Sequence, residues 1–216
     1  MTDLILYLHN NPTPLVGDTT SQPVLPMDSD VPTATELYNY DADRDDDPGL
    51  LIAKGGSGPD EGDPTKYQAW WTSAFTEPLV IQGDATVQLW SSVKDPDGTK
   101  GGAVTVYLRD FDGESYVELG RYTVTDPNWQ GGARWVQKPF TFSVGPHTVA
   151  AGNSLELKVI VEPWSADDMW FAYDTNDHKS RVTVSVSAAT LALDIGPAAS
   201  WLSRISAQTL LRWRYS

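Results

Sequence analysis

Ala103-Val104-Thr105-Val106-Tyr107-Leu108-Arg109 alternates apolar and polar side chains with a period of two. Successive side chains of an extended chain point to opposite faces, so this stretch reads as a half-buried β-strand. The same alternation lies upstream in Thr86-Val87-Gln88-Leu89-Trp90 and downstream in Tyr116-Val117-Glu118-Leu119. It returns in Phe140-Thr141-Phe142-Ser143-Val144, Leu155-Glu156-Leu157-Lys158-Val159 and Val182-Thr183-Val184-Ser185-Val186. Between these runs stand Asp95-Pro96-Asp97-Gly98, Asp112-Gly113, Gly131-Gly132 and Ala151-Gly152-Asn153. Gly, Asn and Asp tolerate the positive φ that tight hairpins require. About ten strands at this spacing, with no helical pattern between them, predict an all-β, antiparallel jelly-roll β-sandwich.

Three regions depart from that rhythm. Residues 10–34 are rich in Pro, Thr, Asp and Ser and read as a long N-terminal loop before a strand at Glu36-Leu37-Tyr38-Asn39-Tyr40. Residues 55–66 form a second long loop, and from Ala188 the composition turns to Ala, Leu, Ser and Arg. The expected organisation is a jelly-roll sandwich over residues 1–187 and a C-terminal attachment segment over 188–216.

At 216 residues the chain suits one large β domain with a core of its own. Cysteine is absent, which excludes disulfides and thiol chemistry. A net charge of −14 argues against nucleic acid, whose phosphates require Lys and Arg. The charge is uneven: residues 1–64 carry acids against Arg44 and Lys54 alone, whereas the last turns of sequence carry Arg204, Arg212 and Arg214 and no acid. Met1-Thr2-Asp3 opens on an acid, and the apolar run Leu4–Leu8 stops at His9-Asn10-Asn11-Pro12, so a chain without an export signal is expected. No apolar run approaches the roughly 20 residues of a membrane helix, and no membrane association is expected.

Residues from about 70 to 186 resemble a galactose-binding-like jelly roll, the sandwich shared by many carbohydrate-binding modules. More closely, they resemble the non-catalytic C-terminal domain of X-Pro dipeptidyl-peptidase and cocaine-esterase hydrolases. The segments that carry the likeness are Glu77 to Trp90, with Gly83 between two strand-like halves; Val104 to Asp110, ending in an acid; and Val149-Ala150-Ala151-Gly152-Asn153-Ser154-Leu155-Glu156-Leu157. The resemblance implies this fold and an accessory role, without an activity.

Four groups of residues bear on chemistry. Asp41, Asp43, Asp45 and Asp47 lie in a run of acids that offers the hard oxygen ligands Ca²⁺ prefers, so a structural Ca²⁺ is one expectation and a solvated acidic loop the other. No other cofactor is expected. Asp167 and Asp168, with Asp174 beyond a short strand, read as turn caps rather than an acid–base pair, with Trp170 and Tyr173 on opposite faces. His9, His147 and His178 share no motif, and no Gly-x-Ser-x-Gly elbow accompanies them, so a hydrolytic triad is not expected. Among the abundant aromatics, Trp70, Trp71, Trp129 and Trp164 are candidates for an exposed sugar platform, while Trp90 and Trp135 are assigned to the core.

In the C-terminal segment, Leu211, Trp213 and Tyr215 alternate with Arg212 and Arg214, and Trp201 lies upstream. These residues read as a partner-binding element toward other copies or other proteins of an assembly. Two functions follow as expectations. One is a non-catalytic surface component of a larger assembly, such as a bacteriophage head-decoration or tail protein, located in the virion. The other is a carbohydrate-binding module or adhesin that meets a glycan at the cell surface or outside the cell.

Overall fold

A computed structural model describes residues 1–9, 25–33, 49–52, 67–94, 101–129 and 135–187. Among these residues there is no helix, and eleven strands form one continuous curled sheet. In chain order they are β1 (Thr2–Leu8), β2 (Leu25–Asp28), β3 (Gly49–Ile52), β4 (Tyr67–Trp71), β5 (Leu79–Val93) and β6 (Gly102–Phe111). Then come β7 (Tyr116–Asp126), β8 (Val136–Val149), β9 (Ser154–Val161), β10 (Met169–Ala172) and β11 (Arg181–Val186). The six alternating runs read between Thr86 and Val186 each lie within one of these strands.

The sheet folds into two layers. In layer A, β8 pairs along one side of the long β5, while β11 and then β10 share its other side. Beyond them lie β1 and β3. Layer B runs β4-β9-β6-β7. The short β2 belongs to both: Asp28 and Met27 pair with Tyr7 and Leu8, and Leu25 and Pro26 pair with Trp70 and Trp71. Its pairing with β4 is parallel, so the sandwich is mixed rather than purely antiparallel at this corner. β2 also lies inside the stretch read as an N-terminal loop. Four residues including a proline leave too short an alternation to detect.

The core fills the space between the layers. Leu4, Leu6 and Leu8 of β1, Val87 and Leu89 of β5, and Val182 and Val184 of β11 face Val104, Val106 and Leu108 of β6 and Leu157 and Val159 of β9. Each fully buried Leu or Val stabilises the fold by roughly 1.5–3 kcal/mol relative to exposure.

On the opposite side from β2 the layers are held by side chains instead of backbone pairing. The Lys138 ammonium of β8 meets the Asp126 carboxylate of β7. Tyr122 and Phe140 meet edge to face at 6.1 Å. The Phe142 ring presses against Gly120, where a Cβ would fall 2.1 Å from it. At the hairpin between β6 and β7, Asp112 accepts the N–H groups of Glu114 and Ser115 at 2.8 Å each, and Gly113 takes a φ of +101°. The Ala151-Gly152-Asn153 turn is likewise present, with Gly152 at +93°.

Candidate functional site

In β6 the residues Val104, Val106 and Leu108 enter the core, so Thr105, Tyr107 and Arg109 face outward from layer B. Their partners on β7 are Thr123, Arg121 and Glu118, and Ala103 and Phe111 pair with Thr125 and Tyr116. A bulge between Leu108 and Arg109 leaves Leu119 as the extra residue and keeps Glu118 and Tyr116 on the outward face. The outer side of β7 is therefore a strip of Thr125, Thr123, Arg121, Glu118 and Tyr116, about 30 Å long at the rise of a strand.

Aromatic groups stand at both ends of the strip. At one end Trp164, on the turn after β9, is 60% exposed and donates its indole N–H to the Thr125 hydroxyl at 3.4 Å. At the other, Trp71, Phe111 and Tyr116 form a cluster with ring centroids 4.7–5.9 Å apart. Between them the Thr105 and Thr123 hydroxyls share a hydrogen bond at 2.6 Å. The Arg121 guanidinium lies 6.0 Å over Tyr107 and 3.9 Å from Glu118, an exposed pair that adds little stability.

Beside the strip the outward face becomes buried and charged. Arg109 and Glu156 form an ion pair with both side chains almost fully out of water, and the Arg109 guanidinium lies 4.0 Å over the Tyr116 ring. Lys158 sits 3.9 Å over Tyr67, and Thr105 also donates to Glu162. β6 and β9 are thus buried on both faces, although their alternation reads as half-buried.

The four platform candidates separate. Trp164 is exposed and Trp71 half-buried, both on the outer side of layer B at opposite ends of the strip. Trp70 is fully buried, a correction to its expected role: it pairs with Leu157, whose side chain faces the core, so the alternation that turns Trp71 outward turns Trp70 in. Trp129 is likewise corrected. The turn in which its N–H bonds to the Asp126 carbonyl folds the indole back against Gly102, under the Lys138 ammonium at 5.0 Å. Two aromatics assigned to the core move the other way. Trp90 and Trp135 are half-buried and share His178, with centroids 4.7 and 5.7 Å from its ring. Burial lowers the pKa of His178, with Asp177 opposing.

The remaining histidines lie apart from the strip. His147 meets Asp110 at 2.8 Å, and Asn153 donates to the other oxygen of that buried carboxylate at 2.8 Å, a polar clasp between the layers. His9 meets Asp174 at 3.0 Å and Asp28 at 3.1 Å, with the Asp30 carbonyl 3.0 Å from the same nitrogen as Asp28. Asp167 and Asp168 occupy a turn, with the Asp168 N–H on the Asp167 carboxylate at 2.8 Å. Among the described residues no group of three His, Asp or Glu side chains is arranged to hold a metal. The Ca²⁺ candidates Asp41, Asp43, Asp45 and Asp47 lie outside the described residues, as do the strand at 36–40, the loop at 55–66 and the partner-binding residues Trp201, Leu211, Arg212, Trp213, Arg214 and Tyr215.

No protein-family model and no curated protein sequence matches this chain. Solved structures share its fold at low identity. An α-amino acid ester hydrolase superposes with a TM-score of 0.59 at 13% identity, over 85% of this chain and 36% of the hydrolase. An aminopeptidase from a marine-sediment Thaumarchaeota archaeon gives 0.58 at 9%, over 87% of this chain and 37% of the enzyme. A CocE/NonD family hydrolase from Staphylococcus aureus gives 0.51 at 10%, over 86% of this chain and 37% of that protein. The β-sandwich found in such hydrolases is the fold of this chain, which spans little more than a third of their length.

Proposed function

We propose that this chain is a non-catalytic module that binds an extended glycan along the outer side of β7. The observation that carries the reading is the indole of Trp164, 60% exposed and in line with hydroxyl, guanidinium and carboxylate groups that end at an aromatic cluster. A pyranose has an apolar face that stacks on an aromatic ring and hydroxyls that exchange hydrogen bonds with Thr, Arg and Glu. A shallow strip of this kind suits a polymer that passes over the surface.

The accessory character draws support from size. The hydrolases that share the fold are each more than twice as long as this chain, so the match covers one part of them. A place in a virion rests on the sequence reading alone, and the hydrolase relatives do not bear on it.

A glycan array followed by titration calorimetry tests the proposal. Trp164→Ala should weaken the best hit at least tenfold, about 1.4 kcal/mol, while the melting temperature holds. Absence of any glycan hit, or equal affinity for the wild type and Trp164→Ala, would reject it.

A further inference from the structure

We propose that the outward edge of β7 accepts the C-terminal strand, residues 210–215, of a second copy of this chain. β7 ends layer B: it pairs with β6 on one side, and among the described residues no strand pairs with its other side. It is eleven residues long, contains no proline, and is rich in Tyr, Val and Thr. An unpaired edge of this length and composition is a template for strand addition.

The edge of β8, at the end of layer A, is built differently. Pro139 and Pro146 remove backbone donors, and Lys138 adds a charge, which are the usual guards of an edge strand. β7 carries a bulge at Leu119 and charges at Glu118 and Arg121 on its outer side, but it has no proline and no charge at Val117 and Tyr122. Both belong to its core-facing side, opposite Asp110 and Val106, yet they remain 54% and 43% exposed. A strand added beside β7 would cover them with its own inward side chains.

The sequence at 210–215 fits that position. Leu211, Trp213 and Tyr215 fall on one side of an extended chain, where they would meet Val117 and Tyr122. Arg212 and Arg214 fall on the other, level with Glu118 on the outer side of β7 and near Asp112 at the hairpin. Val117 and Tyr122 stand exposed at the edge of β7, and the covering strand we assign to them is that of a second copy. A basic end that meets an acidic body makes the contact head to tail.

Sedimentation velocity on the full chain tests this directly. Concentration-dependent association is expected, weakened at least tenfold by Val117→Lys with Tyr122→Lys, and equally by Trp213→Glu. Because the chain lacks cysteine, two single variants, Thr123→Cys and Arg214→Cys, can be mixed with a short bismaleimide. A mixed dimer is the expected product. A monomer at every concentration overturns the proposal, as does association indifferent to the β7 variants. Cross-linking seen only when both cysteines share one chain overturns it too. Glycan titration of the Val117→Lys, Tyr122→Lys variant keeps the readings apart, since Thr123, Thr125 and Trp164 face the other side.

Discussion

His9 and Asp174 are 165 positions apart in sequence, and their side chains meet at 3.0 Å. The other imidazole nitrogen faces Asp28 at 3.1 Å, so both ring nitrogens point at acceptors. A neutral imidazole has one N–H and cannot serve both. Burial alone would lower the pKa of His9, but the hydrogen bonds to Asp28 and Asp174 dominate and raise it to about 9. Asp174 holds its position with a φ of +54°, a conformation uncommon outside glycine, while its N–H bonds to the Leu8 carbonyl at 2.8 Å.

The folded-state pKa lies above the unfolded value near 6.5, so the contribution of His9 is complete below that value and disappears as pH rises through about 9. We expect the chain to lose on the order of 2–3 kcal/mol between pH 6.5 and 9.5, as measured by urea unfolding. His9→Gln should be less stable at pH 6.5 and should flatten that dependence. An unchanged slope in the variant would show that another group titrates.

Gly120 offers a steric test. A methyl group there meets the Phe142 ring, so Gly120→Ala should cost about 1–3 kcal/mol in chemical denaturation. Gly120→Ala combined with Phe142→Leu should recover part of the loss, because the ring that clashes is gone.

The buried Arg109–Glu156 pair predicts an asymmetry. Arg109→Met leaves a carboxylate out of water without its guanidinium and should cost about 3–5 kcal/mol. The double variant Arg109→Met, Glu156→Met should be less damaging than Arg109→Met alone. Additive losses in a double-mutant cycle would contradict a coupled pair.

Two tryptophans on loops should behave oppositely. Trp129→Ala empties the core beside Gly102 and should destabilise by about 3–5 kcal/mol. Trp164→Ala should stay within about 0.5 kcal/mol of the wild type in thermal melting, since its indole is mostly in water.

The contrast between those tryptophans shows what the sequence holds. Alternation is local, so Val104, Val106 and Leu108 reveal their strand and their shared face without any neighbour. Alternation also separates Trp70 from Trp71, but it does not say which of the two faces is the core. That depends on the pairing of Trp70 with Leu157, a contact distant in sequence. Burial of Thr105, Arg109 and Glu156 on the second face of layer B likewise leaves no mark in a polar residue at an expected polar position. The His9 cluster unites β1, the end of β2 and the loop after β10, and no spacing within the chain announces it. Of the strip along β7, Trp164 and Trp71 are legible in the sequence as aromatics with a surface option, whereas Arg121 and Glu118 become visible only once the β6–β7 register is known.

That Thr2 pairs with Val186 has a consequence for synthesis. Of the described strands, β1 leaves the ribosome before all the others and its partner β11 after all of them. At about 5–20 residues per second, Leu4, Leu6 and Leu8 wait about 10–35 s for the neighbour that covers them. During translation the nascent chain therefore carries the apolar β1 with a vacant side, a natural client for a ribosome-associated chaperone. Layer A can close only after the end of β11 has cleared the exit tunnel.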